Sequence, residues 1–284
     1  MLPPDIVLDP ILESWLREDI GRGDRTTMGL FPNDDAPEGE AVWIAKAKGT
    51  IAGLPVAKRV FQLLDPSIEF QALVKDGDEC KQGQKIVTIK GSLATLLTGE
   101  RVALNLVMRL SGISTLTREY VAAIAHLPAT LVDTRKSTPG LRIFEKYATY
   151  VGGAINHRFG LDDAVMIKDN HIAAAGGIRE AVERVRKVIP FTTLIEVETA
   201  EISQVKEALA MDVDIIMLDN MSLDLMRDAI ALIRNHSHKV KIEASGNITL
   251  ETIHKVAELG MDYISTSAMV TKSAWLDLSM NIYG

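Results

Sequence analysis

The stretch Thr192–Asp219, TTLIEVETAEISQVKEALAMDVDIIMLD, runs from a short apolar segment with a polar tip, through an amphipathic helix, to a second apolar segment with a polar tip. The apolar segments TTLIEVE and VDIIMLD are too short for ordinary helices and nearly continuous, as strands covered on both faces are. The same rhythm recurs from Thr130 onward, with strands at TLVDT, DAVMIKD, VKIEAS and DYISTS and helices at GGIREAVERVRKV, LDLMRDAIALIRN and TLETIHKVAELG. Strands separated by helices imply a parallel sheet clothed in helices.

Such a repeat builds either a doubly wound sheet or a (β/α) barrel, and the polar tips decide between them. Arg135 and Lys136, Lys168, Glu198, Asp219, Ser245 with Gly246 and Asn247, and Thr266 with Ser267 each follow a strand. A barrel brings all its strand ends to one mouth, whereas an open sheet uses mainly its switch point. A barrel is therefore expected.

Upstream the texture is mixed. Pro10–Ile20 reads as a helix broken by GRGDRTT, EAVWIAKAKGTIAG as strand and turn, Pro55–Leu64 as a helix, and IEFQALV and KIVTIKG as strands around a turn-rich segment. KDGDECKQGQKIVTIKG is similar to the hammerhead turn of biotin- or lipoate-carrying domains but lacks their Lys-centred hairpin, so only a structural element is expected there. Leu93–Leu110 reads as a helix apolar on nearly every side, yet it carries Glu100, Arg101, Asn105 and Arg109, charges and amides that need partners. The strand-like SAWLDLSMNIYG predicts a return of the chain to the first sheet.

Composition narrows the function classes. The net charge of −7 argues against a general nucleic-acid surface, so any anion site must be local. The single Cys80 excludes an intramolecular disulfide framework and a multi-cysteine zinc site. MLPPDIVLDP shows no signal peptide and no apolar run is long enough for a membrane span, so a cytoplasmic protein is expected.

At the expected mouth, Arg135, Lys136, His157, Arg158 and Lys168 form a basic group and Glu198 with Asp219 an acidic pair. Basic side chains gathered in an acidic protein suit a multiply anionic substrate. The acidic pair suits Mg²⁺ carried by phosphates, or a cation developing in a transition state. ASGNIT and STSA supply small residues where backbone N–H groups approach a ligand, the first before a helix whose N-cap is expected at Thr249. Each of these groups has a plainer explanation, as solvated loop charge or ordinary capping, that their shared position at successive strand ends disfavours. His157 adjoins Arg158, which favours it over His171; no zinc motif and no dinucleotide, P-loop or GxSxG signature is present. Lys168 as a Schiff-base lysine stands as a rival chemistry.

The segments GERVALN, DTRKSTPGLRIFEKYA, GGAINHRFGLDDAVMIKDNHI, IEVET, MLDN, ASGNI and STSA together closely resemble the quinolinate phosphoribosyltransferase family, and the resemblance runs nearly the whole chain, from GDRTT to the last strand. It implies a pentosyltransferase that joins quinolinate to phosphoribosyl pyrophosphate with Mg²⁺, releasing CO₂ and pyrophosphate and forming nicotinate mononucleotide for NAD synthesis. It also implies an α/β fold: an N-terminal α/β sandwich with a hammerhead-like element over residues 1–112, completed by 272–284, and an incomplete TIM-like (β/α) barrel over 113–271. By motif match, Arg135, His157, Arg158 and Lys168 would grip the dicarboxylate, with Thr134 a further substrate contact. Lys136 and Lys168 would face the pyrophosphate. Glu198 and Asp219 would hold ribose hydroxyls or Mg²⁺, and Ser245, Gly246, Asn247, Thr266, Ser267 and Ala268 the phosphate. Catalysis would rest on Lys136, Lys168, Glu198 and Asp219. The resemblance further implies a homodimer or larger homo-oligomer in which Arg101 enters the neighbouring subunit's site. Ser137 stands where the family commonly has Thr and keeps the hydroxyl. Besides the aldolase-type rival, a related protein of molybdate transport systems and a non-catalytic sensor of phosphoribosyl compounds remain as alternatives; a sensor would have no use for Glu198 and Asp219 together with Lys168.

Overall fold

The computed structural model describes residues 2–33 and 35–283. The chain divides into two compact units, one comprising Met1–Arg118, Ile143–Gly152 and Lys272–Gly284, the other Glu119–Arg142 and Gly153–Thr271.

The first unit contains α1 (Asp5–Ile20), α2 (Arg25–Leu30), β1 (Glu38–Ala45), β2 (Gly49–Thr50), α3 (Leu54–Leu64), β3 (Glu69–Ala72), β4 (Glu79–Cys80), β5 (Lys85–Ser92) and most of α4 (Leu93–Ile124). The α1 helix begins ahead of the expected Pro10, because Leu8, Leu12 and Leu16 form one buried stripe that a single missing N–H at Pro10 does not interrupt. The GRGDRTT segment stops α1 and then starts α2, whose first amides, Thr26 and Thr27, donate to the Asp24 carboxylate. Trp43 of β1 packs on Phe61 of α3 and edge-on against Phe70 of β3, forming the aromatic centre of this core.

The α4 helix runs past Leu110 to Ile124, and the division between the two compact units falls within it, after Arg118. A Cβ at Gly112 would stand 1.9 Å from the Ala274 carbonyl oxygen, so glycine is what lets this turn lie directly on the Ala274 backbone. Arg109 of α4 finds its partner in Glu145, with Nη2 at 2.7 Å from Oε1.

The second unit holds the repeated rhythm: β6 (Thr130–Val132), then, after α5 (Arg142–Val151), β7 (Val165–Ile167), α6 (Asp169–Ala175), α7 (Ile178–Arg186), β8 (Ile195–Thr199), α8 (Ile202–Ala210), β9 (Ile215–Asp219), α9 (Leu223–His236), β10 (Lys241–Ser245), α10 (Ile253–Ala257), β11 (Tyr263–Ser265) and α11 (Ala268–Thr271). Residues 143–152, almost all of α5, belong to the first unit, where Phe144 packs on Trp15 and Glu145 meets Arg109. The six strands pair in the order β6-β11-β10-β9-β8-β7, all parallel. In that order β6 and β7, consecutive along the chain, stand at the two edges, which is the order of a barrel left open between them. Ile155 pairs with Val132 of β6 by one isolated parallel bridge on that edge.

The final strand, β12 (Leu278–Tyr283), pairs antiparallel with β1 and completes the four-stranded sheet β12-β1-β5-β3 of the first unit. Among the described residues no helix is long and apolar enough to cross a membrane.

Candidate active site

The strand tips of the second unit surround a cavity of about 560 Å³. Thr134, Arg135 and Lys136 line it beyond β6, Arg158 and His157 line it from the gap between β6 and β7, and Lys168 lines it from the end of β7. Glu198, Asp219 and the Ser245–Asn247 loop complete the ring from β8, β9 and β10. These strand-end residues converge for a topological reason: parallel strands in barrel order present all their C-terminal ends on one face.

The cationic wall is built tightly. Asp133, at the end of β6 and 1% exposed, accepts from the His157 amide at 2.8 Å and from the Asn156 side chain at 2.7 Å, fastening the Asn156-His157-Arg158 segment to the strand. The Arg158 guanidinium donates through Nη1 to the Ala164 carbonyl at 2.7 Å. The Nε atoms of both Arg135 and Arg158 are buried and have no hydrogen-bond partner. Burial, with Arg135 beside it, lowers the Arg158 pKa from its usual value, while Glu196 and Asp163 act the other way. Both arginine side chains line the cavity, where guanidinium groups suit an incoming anion.

Across the ring, Lys168 Nζ lies 2.8 Å from Glu198 Oε2. Asn220, which also lines the cavity, donates from Nδ2 to Asp219 at 2.7 Å and accepts at Oδ1 from Asn247 Nδ2 at 3.0 Å. Its amide bonds the Ser245 carbonyl, and it and Asn247 both take left-handed backbone conformations. Gly246 sits between them at φ +91°, and a Cβ there would stand 2.8 Å from the Asn220 backbone nitrogen. The loop therefore closes onto β9's tip only with glycine at its centre.

Other expected residues lie elsewhere or serve differently. Thr266 turns its hydroxyl to the Ile248 carbonyl and the Ala268 amide, and neither it, Ser267 nor Ala268 lines the cavity; Ser265 does. The Ser267 carbonyl accepts the amides of Val270 and Thr271 at the start of α11. Thr249 is not the N-cap: its amide donates to Thr252 Oγ1, and α10 begins only at Ile253, the hydroxyl competing with helical hydrogen bonding. His171 accepts the Lys168 amide through Nδ1 and so serves as a local cap of α6. Arg101 lies in the first unit, on α4, with its guanidinium 2.9 Å from Glu100 and more than half exposed.

Sequence reading missed Glu243 and Glu196. Each occupies a buried position inside an otherwise apolar strand, and that charge within KIEAS and IEVET was the available signal. His157 Nε2 lies 3.1 Å from Glu196 Oε2 and 3.6 Å from Glu243 Oε2. Burial and the neighbouring Glu196 push the Glu243 carboxyl up to about 7, against the pull of His157. His157 Nδ1 meanwhile accepts the Arg158 amide at 2.7 Å. With Nδ1 accepting, the ring's proton belongs on Nε2, facing the acids. Both ring nitrogens are thus engaged within the protein.

The family model described as quinolinate phosphoribosyl transferase, C-terminal domain, matches residues 113–281, and the corresponding N-terminal domain matches 24–111. The chain belongs to the quinolinate phosphoribosyltransferase family. A Synechocystis protein named probable nicotinate-nucleotide pyrophosphorylase (carboxylating) is 57% identical over 281 residues, covering 99% of this chain and 94% of the relative. A Bacillus subtilis protein of the same name is 43% identical, covering 97% of this chain and 93% of the relative. Among solved structures, NadC from Streptococcus pyogenes is 43% identical and superposes with a TM-score of 0.93, covering 100% of this chain and 99% of the other.

Proposed function

We propose that the cavity binds quinolinate and phosphoribosyl pyrophosphate side by side and joins the pyridine nitrogen to ribose C1, releasing pyrophosphate and then CO₂ to leave nicotinate mononucleotide for NAD biosynthesis. The observation that carries this reading is the cationic wall of Arg135, Lys136, Arg158 and Lys168, which shares one cavity with the acidic strand tips Glu198 and Asp219. Two guanidinium groups suit two carboxylates on adjacent ring positions. Lys136, exposed at the rim, and Lys168 are placed for the pyrophosphate, and the Ser245–Asn247 loop for the 5′-phosphate.

Glu198 and Asp219 face the positive charge that grows at ribose C1 as pyrophosphate departs. They also fit Mg²⁺, because two carboxylates lining the cavity, with no third His, Cys, Asp or Glu grouped with them among the described residues, suit an ion whose remaining ligands come from phosphate oxygens. Bound there, Mg²⁺ would neutralise charge on the leaving pyrophosphate. No covalent nucleophile is needed: once the ring nitrogen is alkylated, its positive charge stabilises the carbanion left on the adjacent ring carbon as CO₂ departs, and a proton from water then takes the place of the carboxylate. The protein's share is orientation and electrostatics. Lys168 stands in an ion pair with Glu198 and not in the apolar pocket that would activate a Schiff-base lysine, which disfavours an aldolase-type reaction.

A homodimer whose two sites each borrow Arg101 from the partner accounts for an exposed arginine on a helix otherwise so apolar. A cytoplasmic location agrees with a substrate and product of central metabolism. The decisive experiment measures CO₂ release from carboxyl-labelled quinolinate with and without phosphoribosyl pyrophosphate and Mg²⁺. Release that requires both is expected; release independent of phosphoribosyl pyrophosphate, or none, overturns the reading.

A further inference from the structure

We propose that Glu196 and Glu243 are positioning residues for the dicarboxylate subsite, acting through His157 on Arg158; the inference rests on the quinolinate reading above. Carboxylates at inward positions of β8 and β10 are expensive to bury, and Glu196 and Glu243 are 3% and 2% exposed. One oxygen of each and one nitrogen of His157 all lie within 4.8 Å of one another. Such a trio invites a metal ion, but the surrounding hydrogen bonds select a proton instead. A metal on Nε2 would send the ring's proton to Nδ1, since a ligating histidine donates from its other nitrogen. Nδ1 is where the Arg158 N–H already points, at 2.7 Å, and two N–H groups cannot face each other there.

With Nε2–H directed at the acids, the ring is clamped at one edge, and its other edge holds the Arg158 backbone. Asp133 fastens the His157 amide from the β6 side. Arg158 is thereby fixed from the backbone inward, with its Nε unpartnered and buried. The acids support the guanidinium without touching the ligand it would take. His157, Arg158 and Glu243 also line a second cavity, of about 270 Å³, whose other walls include Val132, Ile155 and Leu194; the clamp is therefore the partition between this apolar space and the site.

The test compares Glu196→Gln and Glu243→Gln with Glu196→Leu and Glu243→Leu in the full-length protein. Glutamine keeps an oxygen for the Nε2–H, and leucine keeps the volume while removing the acceptor. The leucine variants are expected to raise the quinolinate KM about tenfold, with the KM for phosphoribosyl pyrophosphate unchanged and the Tm not lowered. The glutamine variants are expected to stay within about threefold of wild type. Equal rises in both KM values, no rise in a folded leucine variant, or glutamine as damaging as leucine would each overturn the assignment. If a leucine variant does not fold, the glutamine variant still decides by whether it retains quinolinate affinity. Titration calorimetry with quinolinate alone gives the same comparison without turnover. Wild type that binds quinolinate and releases no CO₂ contradicts the proposed function and leaves the positioning role to be judged by that binding.

Discussion

Lys168 and Glu198 meet at 2.8 Å across the tips of the neighbouring strands β7 and β8, the lysine 44% exposed and the carboxylate 15%. The pair joins the cationic and acidic halves of the ring, so each member restrains the other's position before substrate enters. Glu198→Gln and Asp219→Ala are expected to lower kcat by about 10²-fold while changing the quinolinate KM little, since both act on charge that develops at ribose C1. Steady-state kinetics checks this, and a loss confined to quinolinate affinity would contradict the role.

Borohydride in the presence of substrate is expected to leave activity intact, because Lys168 acts as a cation beside a carboxylate and forms no imine. Substrate-dependent inactivation with a mass increase on Lys168 would reinstate the aldolase-type chemistry.

Quinolinate is expected to be used and nicotinate not. A monocarboxylate leaves one of the two guanidinium groups that line the cavity without an anionic partner, and such a loss discriminates by about 10⁴-fold or more. Comparing kcat/KM for the two acids settles the point; equal values would refute the two-carboxylate subsite.

Gly246→Ala is expected to raise the KM for phosphoribosyl pyrophosphate by at least about tenfold. An alanine Cβ would press on the Asn220 backbone nitrogen at 2.8 Å and disfavour the φ of +91° that the loop needs, a strain of about 1–3 kcal/mol. The quinolinate KM should move less, and an unchanged KM for both substrates would show that the loop holds no phosphate.

Arg101→Ala and Lys168→Ala, each inactive alone, are expected to recover about a quarter of wild-type activity when mixed and allowed to exchange subunits. Half of randomly paired dimers are mixed, and each of these has one intact site of two. Confirmed exchange with no recovery would assign Arg101 to its own chain.

Glu145→Ala is expected to destabilise the first unit by about 3–5 kcal/mol, because it removes the 0% exposed carboxylate that balances the charge of Arg109, itself 16% exposed. Calorimetric unfolding provides the measurement, and a shift in Tm within error would show the pair to be dispensable.

Much of the site was legible because charge at the end of an apolar strand is a local signal. Arg135, Lys168, Glu198 and Asp219 announce themselves by chain position, and parallel topology then gathers them in one cavity. Glu196 and Glu243 were harder to read, since a strand's alternation does not say which buried carboxylates will face the same histidine. For the Thr266–Ala268 loop, residue type does not say where the hydroxyl turns: in the structure the Thr266 hydroxyl donates to the Ile248 carbonyl.

The amino-acid sequence by itself determined the run of strands and helices, the return of the last strand to the first sheet and the chemical character of the mouth, because these follow from periodicity and from the position of polar residues along single elements. Only the tertiary structure decided that residues 143–152 belong with the first unit, that both nitrogens of His157 are occupied, and that Gly246 must be glycine to clear Asn220. Each of these depends on contacts between residues far apart in the chain, where hydrogen-bond direction and interatomic distance, which no residue's identity carries, settle the outcome.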